Sequence, residues 1–312
     1  MTGPASDPLI GPASGAGVRV TVPASTANLG SGFDALGMAL ALYDTVDVRV
    51  TASGLAVAAA GCGAETVPTD ESHLIVRALR TTCGALGIAP PGLDLRCHNA
   101  IPHARGLGSS AAAVVAGVAA GYALAGRPLD AGALQLAGGM EGHADNAAAS
   151  LYGGAVIAWQ DAGRYRAVRL DPHPSLRPIV LVPDVESATK TTRGLLPERV
   201  PHADAAFAAG RAALAVHALT VDPTQLLPAT ADRLHQDYRE AAWPATSRLV
   251  RLLRSAGVAA AVSGAGPTVL ALTTDGQLPP DVDPVDLDGF TVLELAVDRT
   301  GVRVEPLGAT AS

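Results

Sequence analysis

The sequence predicts an α+β fold whose sheets are mainly antiparallel. Short segments in which apolar and polar residues alternate, a pattern typical of half-buried strands, occur along the chain together with segments that have apolar residues at helical spacing. These strands and helices follow one another in mixed order, which differs from the strict β–α alternation of a parallel sheet. With 312 residues, the chain can form one large core or two smaller ones.

In the first half of the chain, alternating or β-branched residues predict strands, and apolar residues at helical spacing predict helices. The strand pattern is clearest where Val46, Val48 and Val50 alternate with polar residues. Ser72 and Asp130 are suitable N-caps for two of the helices. The predicted strands are 18–22, 46–50, 55–60 (hairpin-like), 93–97 and 154–159, and the predicted helices are 74–79, 109 to about 126, and 131 to about 141.

The second half of the chain, from Pro201 onward, is richer in helical patterns. An apolar face predicts a helix over 203–219, and leucines beside arginines predict an amphipathic helix over 247–256 that Gly257 ends. Further helical turns are predicted within 224–239, and strands at 179–182, 258–262, 268–272 and 290–295.

Changes in composition predict two domains and a tail. Residues 1–17 are rich in Gly, Pro, Ala and Ser, which is typical of a flexible tail, and they lack the basic start and long apolar core of a signal peptide. Residues 160–177 are charged and proline-rich, so we place the boundary there, between an N-terminal domain of 18–165 and a C-terminal domain of 166–312.

The composition excludes several classes of protein. With 48% hydrophobic and 16% charged residues the chain is globular, and its net charge of −7 argues against a nucleic-acid-binding protein. No stretch has the length and hydrophobicity of a membrane span, so we expect no membrane partner. Cys62, Cys83 and Cys97 show neither disulfide nor zinc spacing, which fits a cytoplasmic protein with small buried thiols.

A glycine- and serine-rich segment precedes the long predicted helix at 109–126. Its glycines allow a tight turn, and the start of a helix attracts phosphate through unpaired N–H groups. It differs from the common phosphate loop because no lysine follows the glycines; Lys190 is the only lysine of the chain. From this segment alone, a phosphate-binding loop and an ordinary serine N-cap both remain open.

Two further glycine-containing segments accompany this one: PASTANLGSGFDALGMAL from Pro23 and VSGAGPTVLAL from Val262. Together with P-x-x-x-G-L-G-S-S-A-A from Pro102, they resemble, in order, the three motifs of the GHMP kinases. The resemblance implies a two-domain fold, with an N-terminal domain like ribosomal protein S5 domain 2 and a C-terminal ferredoxin-like α/β sandwich. It also implies ATP and Mg²⁺ as cofactors.

Within that family, the chain most resembles the homoserine kinases. The first motif contains A-x-x-A-N-L-G-x-G-F-D, and the segments EGHADN from Glu141 and HQDYR from His235 are close to homoserine kinase motifs, although Ala144 and Asp237 each replace a proline. A further likeness over 182–193 is weaker because Ala188 and Thr192 depart from the pattern. The resemblance implies phosphorylation of the L-homoserine hydroxyl to O-phospho-L-homoserine, in threonine biosynthesis, by a homodimer.

The resemblance also assigns roles to individual residues. Ser110 and Glu141 match the metal ligands and, with Asn146, the catalytic residues, Asn146 orienting the substrate hydroxyl. The expected substrate-binding residues are Asn28, Asp34, His143, Arg193 and Arg239, the arginines suiting a carboxylate and Asp34 an ammonium. The ATP-binding segment is Pro102, His103, Ala104, Arg105, Gly106, Leu107, Gly108, Ser109, Ser110, Ala111 and Ala112. Asp145 matches a base of mevalonate kinases, but we interpret it as structural or orienting.

Two other functions remain open. The first is a GHMP kinase for a different alcohol or an isoprenoid phosphate, although no basic residue between Val20 and Val48 would bind a phosphorylated acceptor. The second is a non-catalytic protein of this fold that senses a metabolite, although Ser110 and Glu141, which such a protein would not need, are both present.

Overall fold

The computed structural model describes residues 12, 14–185, 194–280 and 282–308. The strands are β1 (Gly17–Ala27), β2 (Leu36–Thr51), β3 (Gly54–Gly61), β4 (Gly92–Asn99), β5 (Ala155–Asp161), β6 (Arg164–Leu170), β7 (Arg177–Pro183), β8 (Ala259–Val262), β9 (Val269–Thr273), β10 (Phe290–Glu294) and β11 (Arg303–Pro306). The helices are α1 (Leu74–Leu86), α2 (Ser109–Leu124), α3 (Ala131–Glu141), α4 (Asp145–Tyr152), α5 (His202–Thr220) and α6 (Pro244–Ser255). Short helical turns occupy Pro223–Gln225, Leu226–Ala229, Asp237–Arg239 and Pro284–Leu287.

The described strands form two sheets. The first has seven strands in the order β11-β1-β2-β4-β3, with β5 pairing with β2 and β6 pairing with β5. The second has four strands in the order β10-β7-β9-β8, and all its pairs are antiparallel. In the first sheet only β3 and β4 are parallel. The predicted α+β class with mainly antiparallel sheets is confirmed.

Several elements differ from the sequence prediction. β1 does not end at Pro23 but continues to Ala27, because Pro23 lies at a register shift in the β1–β2 pair, where a strand tolerates a residue without an N–H group. β3 is not part of a hairpin, since it pairs in parallel with β4. His73, rather than Ser72, precedes α1. The sequence patterns did not reveal α4, β6 or β11.

The predicted domain boundary falls inside an element. β6 spans Arg164–Leu170 and pairs with β5 along its whole length, so the first sheet continues past residue 165. β11, near the C-terminal end, pairs with β1 at the other edge of the same sheet. The division into two domains, with its boundary between residues 165 and 166, stays a prediction. Residues 1–11 and 13 of the predicted tail lie outside the described residues, and Gly17 already belongs to β1.

The larger apolar core lies between the first sheet and helices α1 to α4. α2 is apolar on every side and runs through this core, in contact with α1, α3, α4 and β1. Gly117 allows α1 to approach closely, because a side chain there would collide with Ile75 and Ala78. A second core joins α6 to the second sheet through Leu249, Leu253 and Val262. The buried position of α2 fixes where its first turn points.

Asp298 attaches the chain before β11 to the first sheet. Its buried carboxylate accepts hydrogen bonds from the Tyr43 hydroxyl at 2.9 Å and from the backbone N–H groups of Thr300 at 3.0 Å and Gly301 at 2.6 Å. Arg303 of β11 donates to the same carboxylate at 3.2 Å. One side chain therefore satisfies four donors around the turn that leads into β11.

We expect Asp298→Ala to lower the free energy of unfolding by about 2–4 kcal/mol, since it leaves buried donors without acceptors. Urea denaturation measures this loss. The matched control is Asp275→Ala, because exposed Asp275 accepts a single backbone hydrogen bond, from Gln277 at 3.0 Å. Equal stability changes in the two variants would contradict the structural role of Asp298.

Candidate active site

A cleft of about 380 Å³ lies where the three glycine-containing segments meet. Most of the site residues expected from the sequence line this one cleft. They are Asn28 and Asp34 of the first segment, Ala104, Arg105, Gly106, Gly108, Ser109 and Ser110 of the second, and Glu141, His143, Asn146 and Arg239 from elsewhere in the chain. Asp145, Phe33, Gly264 and Ala265 complete the lining together with Ala27. Arg193 lies outside the described residues.

Direct hydrogen bonds hold the three segments together. The Ser263 hydroxyl, at the start of the third segment, donates to the Gly106 carbonyl at 2.6 Å and contacts the Thr26 hydroxyl at 2.8 Å. The Asn28 side chain of the first segment donates to the Gly264 carbonyl at 2.8 Å. Each of these contacts joins residues that are more than 150 positions apart in the chain. The cleft is therefore built by long-range packing.

The second segment forms a tight turn that ends at the first residue of α2. Gly108 is the N-cap residue, in the left-handed region with φ 69°, and no side chain of the described residues caps the helix. A side chain at Gly108 would collide with the Ser25 hydroxyl. Ser109 and Ser110 are the first helical residues rather than caps, so the N-cap interpretation of the serines is wrong. The open N–H groups of this first turn can bind an anion.

Ser110 and Glu141 bring two oxygen donors together beside this helix start. The Ser110 hydroxyl donates to the Glu141 carboxylate at 2.7 Å, although the residues belong to different helices. Burial raises the pKa of Glu141, while the hydrogen bond from Ser110 opposes the change. A hydroxyl and a carboxylate are ligands that a hard cation such as Mg²⁺ accepts, with phosphate and water completing its shell.

A second group of polar residues lies at the start of α4. Asp145 is buried; its carboxylate accepts from the Asn146 backbone N–H at 2.8 Å and lies 2.9 Å from Nδ1 of His143. The Asn146 side-chain oxygen accepts from the Ser25 hydroxyl at 3.0 Å. Because this hydrogen bond turns the oxygen toward Ser25, the amide nitrogen of Asn146 can face a ligand. The sequence prediction missed Ser25, which lies inside the first motif and holds the side chain of Asn146 at the cleft.

The first segment and Arg239 form the other end of the cleft. Asn28 has φ 70°, and its side-chain oxygen accepts from the Asp34 backbone N–H at 3.0 Å. Arg239 is buried and lies over the ring of Phe33, 5.8 Å from its centroid. A buried guanidinium and an acidic side chain therefore line the same cleft as the start of α2.

A second cavity, of about 220 Å³, adjoins the start of α2. It shares Ser109 and Ser110 with the cleft, and its lining combines apolar residues such as Leu74 and Ile75 with Asp44, Asn99 and His103. Nδ1 of buried His73 has no hydrogen-bond partner among the described residues. An unpartnered polar atom in such a cavity can select a ligand with a matching polar edge.

Comparison with known proteins identifies the family. Residues 73–154 match the model of the GHMP kinases N terminal domain, and residues 220–282 match that of GHMP kinases C terminal. The chain is 52% identical over 309 residues to homoserine kinase of Streptomyces coelicolor, covering 97% of this chain and 99% of that protein. The chain belongs to the homoserine kinase family. Its members are phosphotransferases among the GHMP kinases, so the resemblance inferred from the motifs is confirmed.

Other relatives and solved structures agree. Homoserine kinase of Rhodococcus erythropolis is 52% identical over 304 residues, covering 93% of this chain and 96% of that protein. The crystal structure of homoserine kinase from Cytophaga hutchinsonii has a TM-score of 0.80 at 26% identity, with 98% of this chain and 100% of that chain covered. A mevalonate diphosphate decarboxylase from Enterococcus faecalis shares only the fold, with a TM-score of 0.65 at 15% identity over 94% of this chain and 99% of that chain. No helix in the described ranges meets the length and apolarity needed to cross a membrane.

We expect Gly108→Ala to reduce kcat/KM for the phosphoryl donor by about 10²-fold, because the new methyl group would displace the loop from Ser25. Steady-state kinetics and a nucleotide titration measure the loss.

Gly126→Ala is the matched control at the other end of α2. Gly126 has φ 64°, close to the 69° of Gly108, but a side chain there would meet no atom within 4 Å. The control should lose only about 1 kcal/mol of stability from backbone strain and keep its kinetics. Equal kinetic losses in both variants would show that backbone strain, rather than contact with Ser25, causes the effect.

Proposed function

We propose that this member of the homoserine kinase family uses the cleft to transfer the γ-phosphoryl group of ATP to the side-chain hydroxyl of L-homoserine. The observation that supports this most is the lining of the cleft, which brings an uncapped helix start together with Arg239 and Asp34. The first suits a polyphosphate, and the second suits a carboxylate and an ammonium. The product is O-phospho-L-homoserine.

At the nucleotide end, the N–H groups in the first turn of α2 would bind the phosphates. They would take the place of the lysine that a common phosphate loop has and this loop lacks. Arg105 adds a positive charge at the rim of the cleft; its guanidinium donates to the Asp184 carbonyl at 2.6 Å and the His103 carbonyl at 3.3 Å. The second cavity adjoins Ser109 and Ser110, and we propose that it would accept the base of a nucleotide whose phosphates face α2.

The metal in this proposal is Mg²⁺, held by Ser110 and Glu141. The residues fit such an ion, because a hydroxyl and a carboxylate face one another at 2.7 Å beside the phosphate-binding turn. When bound, the ion neutralises charge on the transferring phosphoryl group. Two protein ligands are few, but Mg²⁺ ordinarily keeps several waters and phosphate oxygens.

At the acceptor end, Arg239 would bind the substrate carboxylate and Asp34 the ammonium, with Asn28 and His143 beside them. Asn146 would orient the hydroxyl through its amide nitrogen, since its oxygen already accepts from Ser25. Arg193 keeps the substrate-binding role that the resemblance implies, as a proposal about a residue outside the described ranges.

The proposed function is tested by a coupled assay with ATP and a panel of acceptors: homoserine, threonine, serine, mevalonate and sugars. The proposal expects the highest kcat/KM with homoserine. Preference for another alcohol would favour the other GHMP kinases, and homoserine binding without ATP turnover would favour a metabolite sensor. No detectable rate with homoserine would overturn the proposal.

We expect Glu141→Gln to lower kcat by about 10²–10³-fold and to raise the Mg²⁺ concentration at half-maximal rate, because a neutral amide binds the ion weakly. Kinetics over a Mg²⁺ series measure both effects. Glu305→Gln is the control, since Glu305 is exposed on β11. An unchanged Mg²⁺ dependence in Glu141→Gln would show that Glu141 is not a metal ligand.

We expect Asp145→Asn to reduce kcat by less than about 10²-fold, since a general base contributes about 10²–10⁴-fold and an orienting residue need not be ionised. The asparagine oxygen can still accept from the backbone N–H of Asn146. Single-turnover rates, with ATP affinity as the check on folding, measure this. A loss of several orders of magnitude with intact folding and ATP binding would identify Asp145 as the base.

A further inference from the structure

His235 is a buried residue that touches both sides of the acceptor end of the cleft. Its Nε2 lies 2.8 Å from the carbonyl oxygen of Gly30 in the first glycine-containing segment. Its Nδ1 lies 2.8 Å from Nη1 of Arg239. Its ring stacks on Phe33, with centroids 5.0 Å apart and an interplanar angle of 24°. The side chain is fully shielded from solvent.

The two hydrogen bonds determine the protonation state of the imidazole. A guanidinium can only donate, so Nδ1 of His235 must accept from Arg239. A carbonyl oxygen can only accept, so Nε2 must donate to Gly30. Only the neutral tautomer with its proton on Nε2 satisfies both partners. Burial lowers the pKa of His235 and so favours this neutral form, against the opposite effects of Asp232 and Asp34.

The backbone around His235 is held as firmly as its ring. The carboxylate of Asp232 accepts from the backbone N–H groups of Leu234 at 2.9 Å, His235 at 3.0 Å and Gln236 at 2.8 Å. The backbone of His235 is therefore held in place, and its imidazole has a stacking partner on one face and a hydrogen bond at each nitrogen. Its position is set independently of any substrate.

We infer that His235, as the neutral Nε2–H tautomer, is a positioning residue that orients the guanidinium of Arg239 toward the substrate carboxylate and ties it to the first glycine-containing segment. The inference rests on the proposed role of Arg239 in homoserine binding. Within the part of the chain that the structure describes, the two ring hydrogen bonds of His235 reach Gly30 and Arg239, and neither involves the turn before α2 or the proposed metal ligands. Its loss should therefore weaken recognition of the acceptor carboxylate and leave ATP binding intact.

Two amide substitutions separate the two hydrogen bonds. In His235→Asn the side-chain oxygen reaches the place of Nδ1, so the acceptor for Arg239 is kept and the donor to Gly30 is lost. In His235→Gln the amide nitrogen reaches the place of Nε2, so the donor is kept and the acceptor for Arg239 is lost. His217→Asn is the control, because His217 is exposed on α5.

The experiment compares kcat and KM for homoserine and for 3-aminopropan-1-ol, which is homoserine without its carboxylate. We expect His235→Gln to raise KM for homoserine by about 10- to 100-fold, with a smaller change in kcat, because it removes a hydrogen bond to a charged group. The increase in KM for homoserine caused by His235→Asn should be smaller than that caused by His235→Gln, by a factor of at least about three. Neither variant should change kcat/KM for 3-aminopropan-1-ol by more than about twofold, because that substrate has no carboxylate for Arg239 to hold.

Calorimetric titrations with ATP and with homoserine complete the test and show whether each variant is folded. Weaker homoserine binding with unchanged ATP binding in His235→Gln supports the inference. Three results would each overturn the inference. They are an equal loss of kcat/KM for homoserine and 3-aminopropan-1-ol, equal effects of the two substitutions at His235, and an unchanged KM for homoserine. If the unaltered protein does not phosphorylate homoserine at all, the proposed function fails, and that result is distinct from any difference among the variants.

Discussion

The site depends on the close approach of three backbone segments that carry glycine at the points of contact. Gly106 lies so near the third segment that a side chain at this position would collide with the Ser263 carbonyl. A side chain at Gly108 would likewise collide with the Ser25 hydroxyl of the first segment. Hydrogen bonds from Ser263 and Asn28 then join the segments. Because the three segments are in direct contact, their polar groups line one shared cleft and are not spread over three separate loops.

This packing also explains how a loop without lysine can serve as an anion site. Gly108 turns the chain so that α2 begins at the cleft, and the buried body of α2 holds that direction against the first sheet. The uncapped N–H groups offer partial positive charge at fixed positions. Ser110 and Glu141, from two helices, add the oxygen donors that a cation needs next to phosphate. Under the proposed function, charge neutralisation would fall on these backbone groups and on a bound Mg²⁺, together with Arg105 of the cleft lining.

Rigidity at the acceptor end has a different origin. There, buried polar residues rather than glycines determine the geometry, since His235 bonds to both Arg239 and the distant Gly30, and Asn28 bonds to the distant Gly264. A buried polar group without its partner is costly, so each member of such a network restricts the others. The chain itself therefore holds this part of the cleft in one arrangement, which would suit the proposed recognition of a small, highly polar amino acid.

The sequence by itself determined the α+β class, most of the strands and helices, the family, and most of the residues that line the cleft. Those properties follow from local periodicity and from short motifs that are contiguous in the chain, such as the segment from Pro102 and EGHADN from Glu141. Tertiary structure alone decided that Gly108 rather than a serine precedes α2, that β3 runs parallel to β4, and that β11 returns to the first sheet. It also decided the partners of Ser25 and His235. These features depend on contacts between residues far apart in sequence, and pairing across such distances leaves no periodic or local signal in the chain.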